Sequence, residues 1–319
     1  MALNDAPPFG PVVNGTMVVV FWEYRPSNAA AYIFLALFGL ATLGHLIYLL
    51  WLRAWIFIPF LLGGICQIFG YLERSVAHSY PTILGPWILQ NMLLLVSPPL
   101  LAATLYISHG RVATALLHGT TTATPKNNNH RGCCGCCCCA CTCTPATTLY
   151  ILADVVAIFT QLIGTVLPAS GTPEAQRLSK IVVLVGLLAQ LVALGVFVVL
   201  GCGRLHARLR RDPAAAGSAA MVADPGVNWL GYLVVMEVAA GMLIVRSVVR
   251  GAEYLEGSAG VVARHEVFVY VFDAVPMLVV MVGFLVLYPA RLVREVGRLE
   301  ARGKREGAEA GGFVELRGV

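Results

Sequence analysis

The sequence predicts an all-α fold, a polytopic membrane protein built as a seven-transmembrane-helix bundle. Three observations predict it. Apolar residues make up 58% of the 319 residues and charged residues only 12%, where an ordinary soluble domain carries about 45–50% and about 25%. The apolar residues gather into seven runs, each near the ~20 residues that cross a bilayer as a helix. Trp22, Trp51, Trp55, Trp87 and Trp229 lie near the ends of these runs, as an interfacial aromatic belt would.

The predicted spans run from about Asn28 to Leu52, Trp55 to Val76, Leu84 to Ile107, Leu149 to Leu167, Ile181 to Cys202, Val227 to Val249 and Val267 to Ala290. Pro98-Pro99 falls inside the third and predicts a kink or a broken hydrogen-bond ladder there. Residues 1–27 form a short N-terminal segment without the basic region of a cleaved signal peptide. The connection 109–148 reads as a flexible insert, first Thr- and Asn-rich and then Cys-rich. Residues 291–319 form a basic tail whose Arg291, Arg294 and Arg298 follow helical spacing. It reads as a surface helix against anionic lipid or as a solvated stop-transfer tail.

Positive charge orients the bundle. With the amino terminus outside, 15 of the 22 basic residues fall on the inner side and 7 on the outer, which predicts a cytoplasmic C-terminus. Asn14-Gly15-Thr16 is then an outer glycosylation sequon. The net charge of +5 points to an anionic lipid surface, since no basic patch with interleaved aromatics suggests nucleic acid.

The densest cluster of charge near the spans is Arg246 to Asp273. Arg246, Arg250 and Glu253 share one helical face by spacing, and so do Glu266, Tyr270 and Asp273 on the next run. This predicts that Arg246 and Arg250 pair with Glu266 and Asp273, as a static clamp or as the mouth of a path. Further polar residues enter other spans: Gln67, Tyr71 and Arg74 in the second, Gln90 and Asn91 in the third, Asp154 and Gln161 in the fourth, Gln190 in the fifth and Glu237 in the sixth. Amides in spans commonly bond between helices for about 1 kcal/mol. Asp154, Glu237 and Asp273 are different, because an ionised group near the bilayer centre costs at least about 2.5–3.5 kcal/mol and needs a partner, a proton or a wet cavity. Structural pairing and function are both open for these three.

An enzymatic reading finds no footing. Of seven His only His45 is expected inside a span, no HExxH, GxSxG or P-loop occurs, and no lysine lies deep in a span. No catalytic residue, metal or cofactor is expected. Eight of ten cysteines crowd into Cys133, Cys134, Cys136, Cys137, Cys138, Cys139, Cys141 and Cys143, which is not a disulfide framework. On an inner loop this run suits S-palmitoylation better than a metal site, and a low-complexity insert without a set role remains the plainest reading.

Taken together, these motifs resemble the fungal RTA-like family, lipid-translocating exporters linked to aminocholesterol resistance. The resemblance covers about Tyr24 to Pro289. It rests on Tyr24-Arg25-Pro26-Ser27; Gly70-Tyr71 with Arg74; Gln90, Pro98, Ala102-Ala103 and Tyr106; Asp154 and Gln161; Gly186-Leu187 with Gln190; Arg246-Ser247, Arg250 and Glu253-Tyr254; and Glu266, Tyr270 and Asp273. Gln67 stands where the family usually has Glu, and Tyr288-Pro289-Ala290 where it often has His-Pro-Gly. The resemblance implies a multi-pass protein of a plasma membrane or another endomembrane. It also implies movement or sensing of sphingoid bases or phospholipids, with resistance to lipophilic toxins. A lipid path would use Asp154, Gln161, Gln190, Glu237, Arg246, Arg250, Glu253, Glu266, Tyr270 and Asp273, supported by Gln67, Tyr71 and Arg74. A seven-helix receptor or sensor and a scaffold without transport activity are the alternatives. Against a receptor of the common kind, no DRY triplet closes span three and no NPxxY lies in span seven.

Overall fold

The computed structural model describes residues 9–13, 16–19, 26–80, 82–117, 145–170, 173–211, 229–256, 260, 265–292 and 294. Two short strands, β1 (Phe9–Val13) and β2 (Thr16–Val19), pair antiparallel ahead of the helices. The helices are α1 (Asn28–Leu52), α2 (Ile58–Ser79), α3 (Leu84–Leu117), α4 (Pro145–Val166), α5 (Pro173–Val196), α6 (Gly203–Arg211), α7 (Trp229–Glu256), α8 (Glu266–Val269) and α9 (Val275–Val286). Two π turns make longer rods of them. Phe197–Cys202 joins α5 to α6, and Tyr270–Ala274 joins α8 to α9.

Seven stretches among the described residues are long and apolar enough to cross a membrane: Asn28–Leu52, Trp55–Ser79, Leu84–Ala113, Thr147–Val166, Glu174–Ala207, Leu230–Glu256 and Glu266–Leu292. An odd number of crossings puts the start of α1 and the end of α9 on opposite faces, the N-face and the C-face. Several spans outrun the expected bounds. Span three continues past Ile107, and α3 reaches Leu117 while α4 already begins at Pro145, so the connection is shorter than the expected 109–148. The reason is packing: Ser108 and Val112 are buried, so the helix is held beyond its apolar run. His78, His109 and His206 accordingly lie within spans, a correction to the reading that only His45 does.

The helices form a ring in chain order. Each neighbour in the series α1, α2, α3, α4 and α5 packs on the next, α5 packs on α7, α7 on α9, and α9 closes the ring on α1. Helix α3 also touches α7 across the middle. The outer surface is apolar, with Leu40, Trp51, Phe159 and Val199 exposed, while Arg74, Asp154, Arg246 and Asp273 are buried. This inside-out arrangement is what lipid as solvent selects.

Small residues let helices close on each other. A Cβ on Gly63 would meet the Leu101 side chain at 2.2 Å, and one on Gly164 would meet Val183 at 2.5 Å with backbone atoms at 3.1 and 3.3 Å behind it. Toward the C-face, Phe57 stacks on Tyr288 with centroids 4.2 Å apart, and Phe60 stacks on Phe284. At that face Arg53 takes the left-handed conformation that ends α1, and Arg294 donates to the Leu52 carbonyl at 2.9 Å, an orphan acceptor of the helix end.

Candidate functional site

In the N-face half of the bundle, six charged side chains from three spans join in two networks. Arg246 and Arg250 stand one turn apart on α7 and point at the π turn that carries Asp273. The Asp273 carboxylate is shared, one oxygen against the Arg246 guanidinium and the other against that of Arg250. Arg250 also donates to Glu253 at 2.9 Å, three residues along its own helix. All of Arg246, Arg250 and Asp273 are buried.

Arg246 has a further partner that follows from the sequence two helices away. Pro98 has no N–H, so the Leu94 carbonyl one turn earlier in α3 has no intrahelical donor. Arg246 donates to that carbonyl. The helix runs through Pro98-Pro99 without a break, and one ladder bond is replaced by a bond to another span.

A second network lies beside the first. Arg74 on α2, 1% exposed, donates through Nε to the Tyr270 hydroxyl at 3.0 Å and through a terminal nitrogen to Glu266 at 3.0 Å. The Tyr270 hydroxyl donates to the same Glu266 oxygen at 3.0 Å, and so does the Ser27 backbone N–H at 2.7 Å. His78 meets the Pro26 carbonyl at 2.7 Å. The chain entering α1 is thus tied to α2 and α8 by backbone groups. Phe34 stacks on Tyr270 at 5.2 Å and on Tyr71 at 5.7 Å, and the buried Tyr71 ring stands among Asp273, Arg250 and Arg74 between the two networks. Three Arg and three carboxylates therefore balance.

Glu266 corrects the expected pairing. It faces Arg74, and Asp273 alone serves both Arg246 and Arg250. On a regular helix the spacing would set Glu266 and Asp273 on one face, whereas the π turn Tyr270–Ala274 re-aims Asp273 toward α7.

The other named residues sit apart. Gln161 donates to Gln190 at 3.3 Å between α4 and α5. The amide of Gln67 is buried without a hydrogen-bond partner. Asn91 bonds back to the Trp87 carbonyl of its own helix, and Gln90 is buried. Glu237 lies near the C-face start of α7, 3.0 Å from His206 and more than a third exposed. Asp154 is buried in the same half, beside Tyr106. The ten path residues therefore do not converge on one groove. The cleft beside the Arg250–Asp273 pair, lined by Val249, Glu253, Phe268 and Phe272, holds only about 10 Å³, room for roughly one water. Asn14, Cys133, Cys134, Cys136, Cys137, Cys138, Cys139, Cys141 and Cys143, together with the tail beyond residue 294, lie outside the described residues.

Sequence reasoning missed the Leu94 carbonyl, the Ser27 amide, Phe34 and the His206–Glu237 pair. Pro98 was a readable signal for the first, since a proline one turn on always frees a carbonyl. Nothing local announced the others, because each is a contact between distant spans.

A family model described as RTA1 like protein matches residues 60–128 and 138–296, most of the chain. The chain belongs to the RTA1-like family. Among relatives of this RTA1-like chain, Protoporphyrin uptake protein 1 of Saccharomyces cerevisiae is 30% identical over 230 residues, 72% of this chain and 67% of its own. Protein RTA1 of the same yeast is 28% identical over 236 residues, 73% of this chain and 65% of its own. Protein RTM1, also from that yeast, is 30% identical over 230 residues, 72% of this chain and 66% of its own. The match to the last two thus spans just under two thirds of their length. No solved structure matches the RTA1-like chain.

Proposed function

We propose that this RTA1-like protein moves amphiphilic molecules with an anionic or zwitterionic head across a plasma membrane or related membrane, and that the Arg246–Asp273–Arg250 group is its closed gate. One observation carries the reading: a single buried carboxylate holds two guanidiniums inside a membrane bundle. Each Arg presents a planar fork matched to a carboxylate or phosphate. An entering headgroup of that chemistry can replace Asp273 on one Arg while the other keeps it, so the exchange leaves no guanidinium unpaired. Phospholipids and phosphorylated sphingoid bases have such heads, and protoporphyrin, for which one relative is named, carries carboxylates on an apolar body. Free sphingoid bases, which are amines, would instead meet the acidic side, Asp273 or Glu253. Anionic lipid at the C-face suits the basic tail.

The test is translocation of fluorescent phospholipid and sphingoid base in vesicles holding the purified full chain. The rate should exceed that of empty vesicles and fall to it with Arg246→Gln while the variant stays folded. Equal rates with and without the wild-type protein would remove the reading. Loss of the folded protein in Arg246→Gln, with Arg250→Lys folded and fully active, would make the group a static clamp.

The closed cleft favours a second reading, a sensor or scaffold that changes membrane order or supports another transporter. A headgroup does not fit into about 10 Å³. Toxin resistance that survives deletion of the tail would count against signalling through it, and full translocation by the isolated protein would exclude the scaffold.

A further inference from the structure

Asp154 is the one fully buried carboxyl among the described residues without a cationic partner. Asp273, Glu253 and Glu266 each meet Arg, and Glu237 meets His206. Asp154 is 1% exposed on α4, and the hydrogen-bonding group set against its carboxyl is the Tyr106 hydroxyl. The titratable group that faces it is Tyr106 of α3, whose ring lies 5.3 Å from that of Tyr150. Helix α5, packed on the other side of α4, brings Gln190 to Gln161, and among the described residues no charged group to Asp154. An ionised carboxylate so enclosed has lost its water and gained no counter-charge, so the neutral acid is the form the site stabilises.

A ladder of titratable groups leads from this acid to the C-face. His109 lies three residues beyond Tyr106 on α3 and faces His206. His206, on α6, is 3.0 Å from Glu237, and both are more than a third exposed. Chains of carboxyl, His and Tyr groups inside spans are what proton relays are made of. Between Tyr106 and His109 stands Phe197, at the start of the π turn, with its ring edge-on to both at 4.8 and 5.0 Å. The π turn, an extra residue in the helix, seats that ring in the ladder.

We propose that Asp154 is a proton-binding site, loaded from the C-face through Glu237, His206, His109 and Tyr106, with Phe197 as the barrier across the route. Uptake converts carboxylate and proton to the neutral acid, and release reverses it, with no bond to substrate. This site goes beyond the translocation reading and does not rest on it, since a scaffold could hold the same proton.

Infrared spectroscopy of the full chain in lipid nanodiscs at neutral pH tests it. The carbonyl stretch of a neutral carboxylic acid should be present in the wild type and absent in Asp154→Asn. In heavy water the band should shift, with an exchange rate about tenfold slower in His206→Gln and faster in Phe197→Ala. Identical carbonyl regions in wild type and Asp154→Asn would overturn the site, and unchanged exchange in both other variants would overturn the route. Should Asp154→Asn fail to fold, Tyr106→Phe keeps the acid and should shift its stretch, and an unshifted band there overturns the assignment.

Discussion

Arg246 donates to the Leu94 carbonyl, the acceptor that Pro98 leaves free in α3. A proline in one span and an arginine in another thus form one unit. Restoring the backbone donor with Pro98→Ala gives Leu94 its own partner, so truncating Arg246 should then cost less. A double-mutant cycle of Pro98→Ala with Arg246→Gln, read by thermal unfolding in nanodiscs, should show a coupling of about 1 kcal/mol. Additive effects would mean that the carbonyl contact carries no energy.

Asp273→Asn should be far more damaging than its near-identical shape suggests. It leaves two buried guanidiniums facing each other with Glu253 as the nearest remaining carboxylate, on Arg250 alone. Breaking a buried ion group this way costs about 3–5 kcal/mol, whereas removing charges together is milder. The double variant Arg246→Met with Asp273→Asn should therefore unfold at a higher temperature than Asp273→Asn alone. The reverse order would show that the charges do not act as a unit.

Glu266→Ala should loosen the entry to α1. It removes the acceptor of the Ser27 amide and the carboxylate of Arg74. Amide exchange followed by mass spectrometry should speed up at Ser27 to Ala31 and stay unchanged in α4. Unaltered exchange at Ser27 would mean that the N-cap alone holds this end.

Two glycines give opposite results on substitution. Gly164→Ala pushes a methyl against Val183 and its backbone, where α5 cannot give way without moving. A loss of about 1–3 kcal/mol is expected. Gly241→Ala meets nothing within 4 Å and should be neutral or stabilise α7 by roughly 0.5–1 kcal/mol. Melting temperatures of the two variants, measured side by side, check both signs.

The spans and the charged stretch from Arg246 to Asp273 were legible because they depend on local composition and spacing. Partner choice was not. Helical periodicity points Glu266 at Arg246 and Arg250, but Arg74 comes from a helix nearly two hundred residues earlier in the chain, and no local pattern encodes that meeting. Asp273 also lies in a π turn, whose extra residue defeats a count in steps of three and four. Helix α3 outruns its apolar run for a related reason: burial of Ser108 and Val112 by neighbouring spans holds a helix that its own sequence would let end.

The six charges of the two N-face networks sum to zero, with Arg74, Arg246 and Arg250 against Glu253, Glu266 and Asp273. A transmembrane voltage does work of about 2.3 kcal/mol per 100 mV on each elementary charge that crosses it. Moved together, this set carries no net charge, so an opening of the proposed gate that shifts it as one body would be electrically silent. A proton taken up at Asp154, as proposed, would be a single uncompensated charge part-way through the field. On the readings proposed above, voltage would act on a proton at Asp154 and on a charged headgroup in transit, and not on the paired arginines.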